Sequence, residues 1–330
     1  RELMRERAAA VLLLVVLVVA GCTEPETTDS TEPGRSPTTS TTASTTPSAT
    51  SATAGSDAIH AGEGLGDTLF PKAGNEGYDV QHVDLALDFT EVFDSGSFSG
   101  VATLRIEPTV ALDSFVIDAG DLDIGAITVD ADPAPFADGS DQVRIDPEPV
   151  LVPGVVSELR IEYSGSVPTE RVFKPGSGGI VRDEALVFSI GEPAGSTTWM
   201  PGNDHPTDKA PYAIAVTVPT GMEAAAGGLL VDSLTEGDST TFYFEHQLPV
   251  ATYLVPIAVG DLSRLDREAE GYAWRDYLGP GVEEIDVLDR QDEMVRFFEQ
   301  YLGPYPFEAN GALVVDRDFW GALETQTLST

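Results

Sequence analysis

The sequence predicts a mainly β protein with a mixed α+β unit begun near its end, and three observations predict it. Between about Tyr78 and Val259, short segments alternate apolar and polar residues, the period of a half-buried strand. Gly, Pro and Asp fill the gaps at turn-length spacing and no long amphipathic helix interrupts them, which together imply an antiparallel sandwich or open barrel. After about Leu265 the pattern changes to a helix followed by a strand. The 330 residues suffice for two sizeable cores. The chain begins at Arg1 rather than Met and is read as part of a longer protein.

Taken in order, Arg1, Arg5 and Arg7 precede an apolar run from Ala8 to Ala20. That is a charged segment and a short hydrophobic segment of export-signal type, too short for a comfortable membrane span. The run ends Leu17-Val18-Val19-Ala20-Gly21-Cys22, which resembles the bacterial lipobox. Residues 1–22 are therefore read as a lipoprotein signal, with Cys22 the lipid-attachment residue; a plain signal peptide is the alternative. Residues 23–76 are read as a linker. Thr, Ser, Pro and Ala dominate it from Thr23 to about Ser56, too few apolar groups to offset the entropy of ordering. The expectation is an exported protein tethered by lipid to the outer face of the cytoplasmic membrane.

Residues 77–265 are read as the β domain. Val83, Leu85, Leu87 and Phe89 alternate with polar residues, a turn follows at Asp94-Ser95-Gly96-Ser97, and a second strand runs through Val101, Leu104 and Ile106. Further strands are expected at Ser114 to Asp118, Ile124 to Val129, Gln142 to Ile145, Glu158 to Tyr163, Ala185 to Ile190, Tyr212 to Val218, Thr240 to Glu245 and Tyr253 to Val259. Residues 266–330 are read as the start of a second domain. There Ile285, Leu288, Val295, Phe298 and Leu302 mark an amphipathic helix over Val282 to Leu302, stopped by Gly303-Pro304, and a strand follows at Ala312 to Val315.

Composition excludes some functions. Asp and Glu number 55 against 18 Lys and Arg, a formal net charge of -37. Such a surface repels nucleic acid, so no nucleic-acid partner is expected. The single cysteine forbids an internal disulfide. His60, His82, His205 and His246 are far apart, with no His-x-x-x-His spacing, so no ordinary zinc ligand set is present.

Several segments together resemble the zinc aminopeptidases of the aminopeptidase N family. They are Tyr78-Asp79-Val80-Gln81-His82-Val83-Asp84-Leu85; Trp199-Met200-Pro201-Gly202-Asn203-Asp204-His205-Pro206-Thr207-Asp208-Lys209-Ala210; Leu248-Pro249-Val250-Ala251-Thr252-Tyr253-Leu254 with Ala258-Val259-Gly260-Asp261; Tyr301-Leu302-Gly303-Pro304-Tyr305-Pro306-Phe307; and Gly321-Ala322-Leu323-Glu324-Thr325. The last is similar to the family's Gly-Ala-Met-Glu-Asn exopeptidase motif, with Leu323 for Met and Thr325 for Asn.

The resemblance implies a saddle-like β-sandwich domain followed by the start of a thermolysin-like catalytic domain. It implies that Glu324 binds the free α-ammonium group of a peptide substrate, with Glu192 of Gly191-Glu192-Pro193 as second amine ligand. Gly321 and Ala322 would lie along the substrate backbone, where small side chains permit close approach. Asp204 and His205 read as structural, a polar turn pinning the junction. The family's zinc cofactor is held by a His-Glu-x-x-His helix and a later Glu, and activates the attacking water. No such motif occurs in these residues, so its ligands are expected beyond Thr330, and this chain is expected to bind no zinc and hold no catalytic residue. The expected function is a zinc-dependent aminopeptidase acting on peptides with a free N-terminus. The alternatives are an envelope-anchored peptide-binding or scaffold lipoprotein on the same fold, and a structural sandwich module.

Overall fold

The computed structural model describes residues 59–60, 64–169, 178–269, 271–283, 285–317 and 321–330. Cys22, the export signal and residues 23–58 of the linker lie outside them.

The largest sheet combines β2 (Tyr78–Asp88), β3 (Ser97–Pro108), β5 (Asp123–Val129), β6 (Asp132–Pro133), β9 (Ser157–Ser166), β12 (Lys209–Pro219), β14 (Leu229–Glu236) and β15 (Ser239–Ala251). Its order is β14-β15-β12-β2-β3-β9-β5-β6. Period-2 patterning puts Val83, Leu85 and Leu87 of β2 on the buried face with Ala102, Leu104 and Ile106 of β3 and Ile214, Val216 and Val218 of β12. Against that face lies a sheet of β1 (Ile59–His60), β4 (Leu112–Asp118), β8 (Gln142–Ile145) and β7 (Phe136–Asp138), in that order. Leu112, Phe115, Ile117, Val143 and Ile145 have no exposed surface and complete the first core. The expectation of a wholly antiparallel sandwich is corrected at two places. β12 pairs with β2 in parallel, Ile214 opposite Leu85, and β1 pairs with β4 in parallel. Parallel pairing needs a long crossover, which everything between β2 and β12 supplies.

A third sheet, β10 (Gly179–Arg182), β11 (Leu186–Ile190), β16 (Ile257–Gly260) and β13 (Glu223–Ala226), runs antiparallel in the order β10-β11-β16-β13. It is buried on both faces. Ile180, Val187, Ala224, Ala226, Ile257 and Val259 enter the first core. Their alternates Val181, Leu186, Phe188, Ile190, Ala225 and Ala258 enter a second core. A strand covered on both sides has no polar face to show, so these segments read as continuous apolar runs.

The second core is closed by Leu262, Tyr277, Leu313, Leu323 and Leu328. Tyr277 and Leu313 belong to a last sheet, in which β18 (Tyr272–Leu278) pairs with β17 (Ser263–Ala269) antiparallel and with β19 (Ala309–Asn310) and β20 (Leu313–Val314) parallel. The change of sheet comes at Asp261-Leu262, between β16 and β17. Two helices are described, α1 (Val92–Ser95) and α2 (Gln291–Leu302).

Ahead of β2, β1 pairs with β4, and buried Asn75 donates its backbone N–H to Asn203 Oδ1 at 2.6 Å. Two sequence expectations are corrected. The helix read from Val282 begins only at Gln291, whose side chain donates to buried Asp276 and holds the first turn down. The strand read over Tyr253 to Val259 is a 3-10 turn, Thr252–Leu254, followed by β16, because Pro256 has no N–H for a sheet ladder.

Phe115 lies edge-on to Tyr78 at 5.5 Å between ring centroids, with no exposed surface. Phe115→Ala is expected to lower unfolding stability by about 3–5 kcal/mol. Urea unfolding followed by tryptophan fluorescence measures it.

Candidate functional site

β11 and β13 both run antiparallel to β16, so the C-terminal ends of β11 and β13 and the N-terminal end of β16 share one end of the sheet. Three residues collect there: Glu192 just past β11, Gly228 just past β13, and Tyr253 in the turn before β16.

Glu192 is delivered by a close backbone approach. Ile190 is anchored in the second core, and Gly191 lies so tightly on the next segment that a Cβ would fall 2.1 Å from the Tyr253 carbonyl oxygen. Only glycine fits. Glu192 is half-buried. The Tyr253 phenol is held above its usual range by burial and then by the Glu192 charge, which puts the two side chains within electrostatic reach.

Glu324 sits in a closed loop. Leu323 and Thr330 exchange both backbone hydrogen bonds, at 2.8 and 2.9 Å, and Thr325 Oγ1 donates to the Leu328 carbonyl within. Leu323 and Leu328 pin the loop into the second core, and Glu324 is half-buried between buried Leu323 and Thr325. Three contacts fix the loop from outside. The Gly228 N–H donates to Thr327 Oγ1 at 2.7 Å, Gln326 Nε2 donates to the Pro249 carbonyl at 3.3 Å, and the Tyr305 hydroxyl donates to the Gln326 carbonyl at 2.9 Å. Gly321 is exposed with open space where a Cβ would sit, and Ala322 is half-buried.

The residues flanking both glutamates thus pack on one core, although the glutamates come from opposite ends of the chain. Among the described residues, neither carboxylate has a hydrogen-bond or ion-pair partner. Both can accept from a ligand cation. Sequence reasoning missed Tyr253, Gly228 and Thr327, whose roles come from contacts such as the one spanning 99 residues between Gly228 and Thr327.

Three buried acids are occupied. Asp118, Asp204 and Asp208 are buried in one network. Asp118 accepts from Asn75, Gln142 and the Asp204 N–H; Thr252 donates to Asp204; Val80 N–H and Asn203 donate to Asp208. This is the Asn203–Asp208 turn, fixed by side-chain-to-backbone bonds, with His205 held by Thr207 at its rim. Burial, only partly offset by the Thr252 hydrogen bond, raises the Asp204 carboxyl to about 6. Burial does the same to Asp208, also to about 6, and moves Asp118 upward.

The described residues do not make a zinc site: no cluster of three or more His, Cys, Asp or Glu side chains that could hold a metal occurs among them. His82 pairs with Asp84 and His205 with Thr207, while His246 Nδ1 meets the Leu248 carbonyl.

Residues 76–254 match the family described as the Peptidase M1 N-terminal domain. A leucyl aminopeptidase of Saccharolobus solfataricus is 22% identical over 248 residues, which is 74% of this chain and 30% of that protein. An aminopeptidase N of Acetobacter pasteurianus is 26% identical over 144 residues, 42% of this chain and 41% of that protein. Among solved structures, an M1 zinc metallopeptidase of Deinococcus radiodurans superposes with a TM-score of 0.74 at 29% identity, covering 81% of this chain and 63% of that one. A mutant of it bound to a Tyr-Ser-Ala substrate superposes with a TM-score of 0.73. The chain therefore spans well under half the length of these curated relatives.

The buried acids carry a pH signature. Folded-state values near 6, above the unfolded value of 3.8, mean that the favourable contribution of Asp204 and Asp208 is complete below about 3.8 and lost as pH rises through 6. Stability is expected to rise as pH falls from about 7.5 to 5, by about 1–1.5 kcal/mol per group. Melting curves across that range check it. Asp204→Asn and Asp208→Asn should each flatten the dependence.

Proposed function

The chain belongs to the M1 peptidase family, whose N-terminal domain it carries, and from that premise we propose that the whole protein is a zinc-dependent aminopeptidase removing residues from the N-termini of peptides. The observation that supports this reading most is the pair of half-buried carboxylates, Glu192 and Glu324, flanked by residues of one core and left without partners among the described residues. Unpaired carboxylates at a half-buried site favour a cation, and a peptide α-ammonium group is a cation with three directed donors. Two acceptors on separate elements would hold that group by charge-assisted hydrogen bonds and set the first peptide bond at a constant distance from them. Gly321 and Ala322 would leave room for the substrate backbone beside Glu324. The bound Tyr-Ser-Ala peptide of the Deinococcus relative agrees with this substrate class.

In this reading residues from about 262 onward open a thermolysin-like catalytic domain. The described residues of this chain do not fit a zinc site, so the metal would be held by residues outside it. The chain's own part is to bind and orient the substrate amine. Export and lipid attachment at Cys22 complete the proposal, on the support of the residue order from Leu17 to Cys22.

The test is release of a chromogenic amine from aminoacyl substrates by the full-length protein, with and without chelator. Glu324→Ala is expected to raise KM about 10- to 100-fold, the loss of a charge-assisted hydrogen bond. N-acetylated substrates should not be cleaved. Equal cleavage of free and acetylated substrates would overturn the amine-binding reading. Absent turnover in folded, zinc-supplied protein would overturn the enzyme.

A further inference from the structure

Glu324 belongs to the loop built on the second core, and Glu192 to the far end of a sheet shared with the first. Two ligands of one ammonium group must be held at a constant separation to a fraction of an ångström, so something has to register the loop against the sheet. Hydrophobic packing through Leu323 and Leu328 resists separation but is non-directional and tolerates sliding. A short, buried, directional contact does not.

One such contact is present. Gly228 N–H donates to Thr327 Oγ1 at 2.7 Å, with both residues buried. Gly228 adopts φ +91, and a Cβ there would fall 2.2 Å from the Glu245 carbonyl oxygen. No other residue can take its place without displacing β15, so the donor is rigidly held. It stands just past β13, at the sheet end from which Glu192 leaves β11. β11 and β13 are separated only by β16, which puts the two strands about 10 Å apart. On the other side, Thr327 lies inside the loop closed by the Leu323–Thr330 backbone pair, three residues along from Glu324. Moving Thr327 moves Glu324.

We infer that Thr327, through its buried hydrogen bond with Gly228, is the positioning residue that registers Glu324 against Glu192. The inference rests on the reading that these glutamates bind the substrate amine. The hydroxyl is the part that matters. Serine preserves the acceptor, whereas valine keeps the shape but faces the Gly228 N–H with a methyl group and leaves a buried donor unsatisfied.

The experiment uses the full-length, zinc-supplied protein and measures KM and kcat for an aminoacyl substrate in Thr327→Val, Thr327→Ala, Thr327→Ser and Glu324→Gln. Thr327→Val and Thr327→Ala are expected to raise KM about tenfold with kcat changed less than twofold, and Thr327→Ser to return KM to within about threefold of the parent. A merely structural role predicts that the amount of active enzyme falls, and with it the apparent kcat, while KM stays. That pattern overturns the inference. If Thr327→Val does not fold, the alanine and serine pair makes the same comparison. An unchanged KM in Glu324→Gln overturns the amine-site reading itself. A raised KM in Glu324→Gln with parental KM in Thr327→Ala overturns only the positioning role.

Discussion

Everything else in the molecule hangs on a sheet that has no outside. β10, β11, β16 and β13 present Val187, Ile257 and Val259 to one core and Phe188, Ile190 and Ala258 to the other. Such a wall must be apolar on both faces, and where the cores crowd together it must be thin. The run Ala224-Ala225-Ala226 in β13 meets both demands, each residue all but fully buried. Because this sheet is packed from two sides, its ends are held firmly, and Glu192, the proposed amine ligand, follows the end of β11.

The polar groups obey a complementary logic. A chain with net charge -37 keeps most acids in water, yet it buries Asp118, Asp204 and Asp208 together without a basic partner among the described residues. They are tolerated because N–H and amide donors from β2, the Asn203–Asp208 turn and Asn75 converge on them. The cost is retained as carboxyls that titrate near neutrality. Glu192 and Glu324 differ in kind: they are half-buried and, among the described residues, without a hydrogen-bond or ion-pair partner.

Legibility in the sequence tracked exposure. β2, β3, β9 and β12 have one wet face, so their alternation was visible and their positions were read closely. β10 and β13 are four residues each and dry on both faces, leaving no period to detect. β17 was hidden for the opposite reason, since Arg264 and Asp266 lie two residues apart on its own polar side and Asp266 faces Arg275 across the ladder. The acids at 324 and 192 were found through resemblance of short motifs, not through any periodicity. Thr327, Gly228 and Tyr253 were beyond reach because their roles arise from contacts between distant parts of the chain, and nothing in a neighbouring residue signals such a contact.

The shared wall also bears on modularity. The stretch recognisable as the M1 N-terminal domain closes at residue 254, just short of β16 at Ile257–Gly260. Yet β16 is the strand between β11 and β13. A polypeptide cut where the recognisable unit ends would lose the central slat of its own partition, opening both cores and unpairing strands on either side. A folding unit that includes the recognisable stretch therefore has to run at least through Gly260, so that β16 can hold β11 and β13 together.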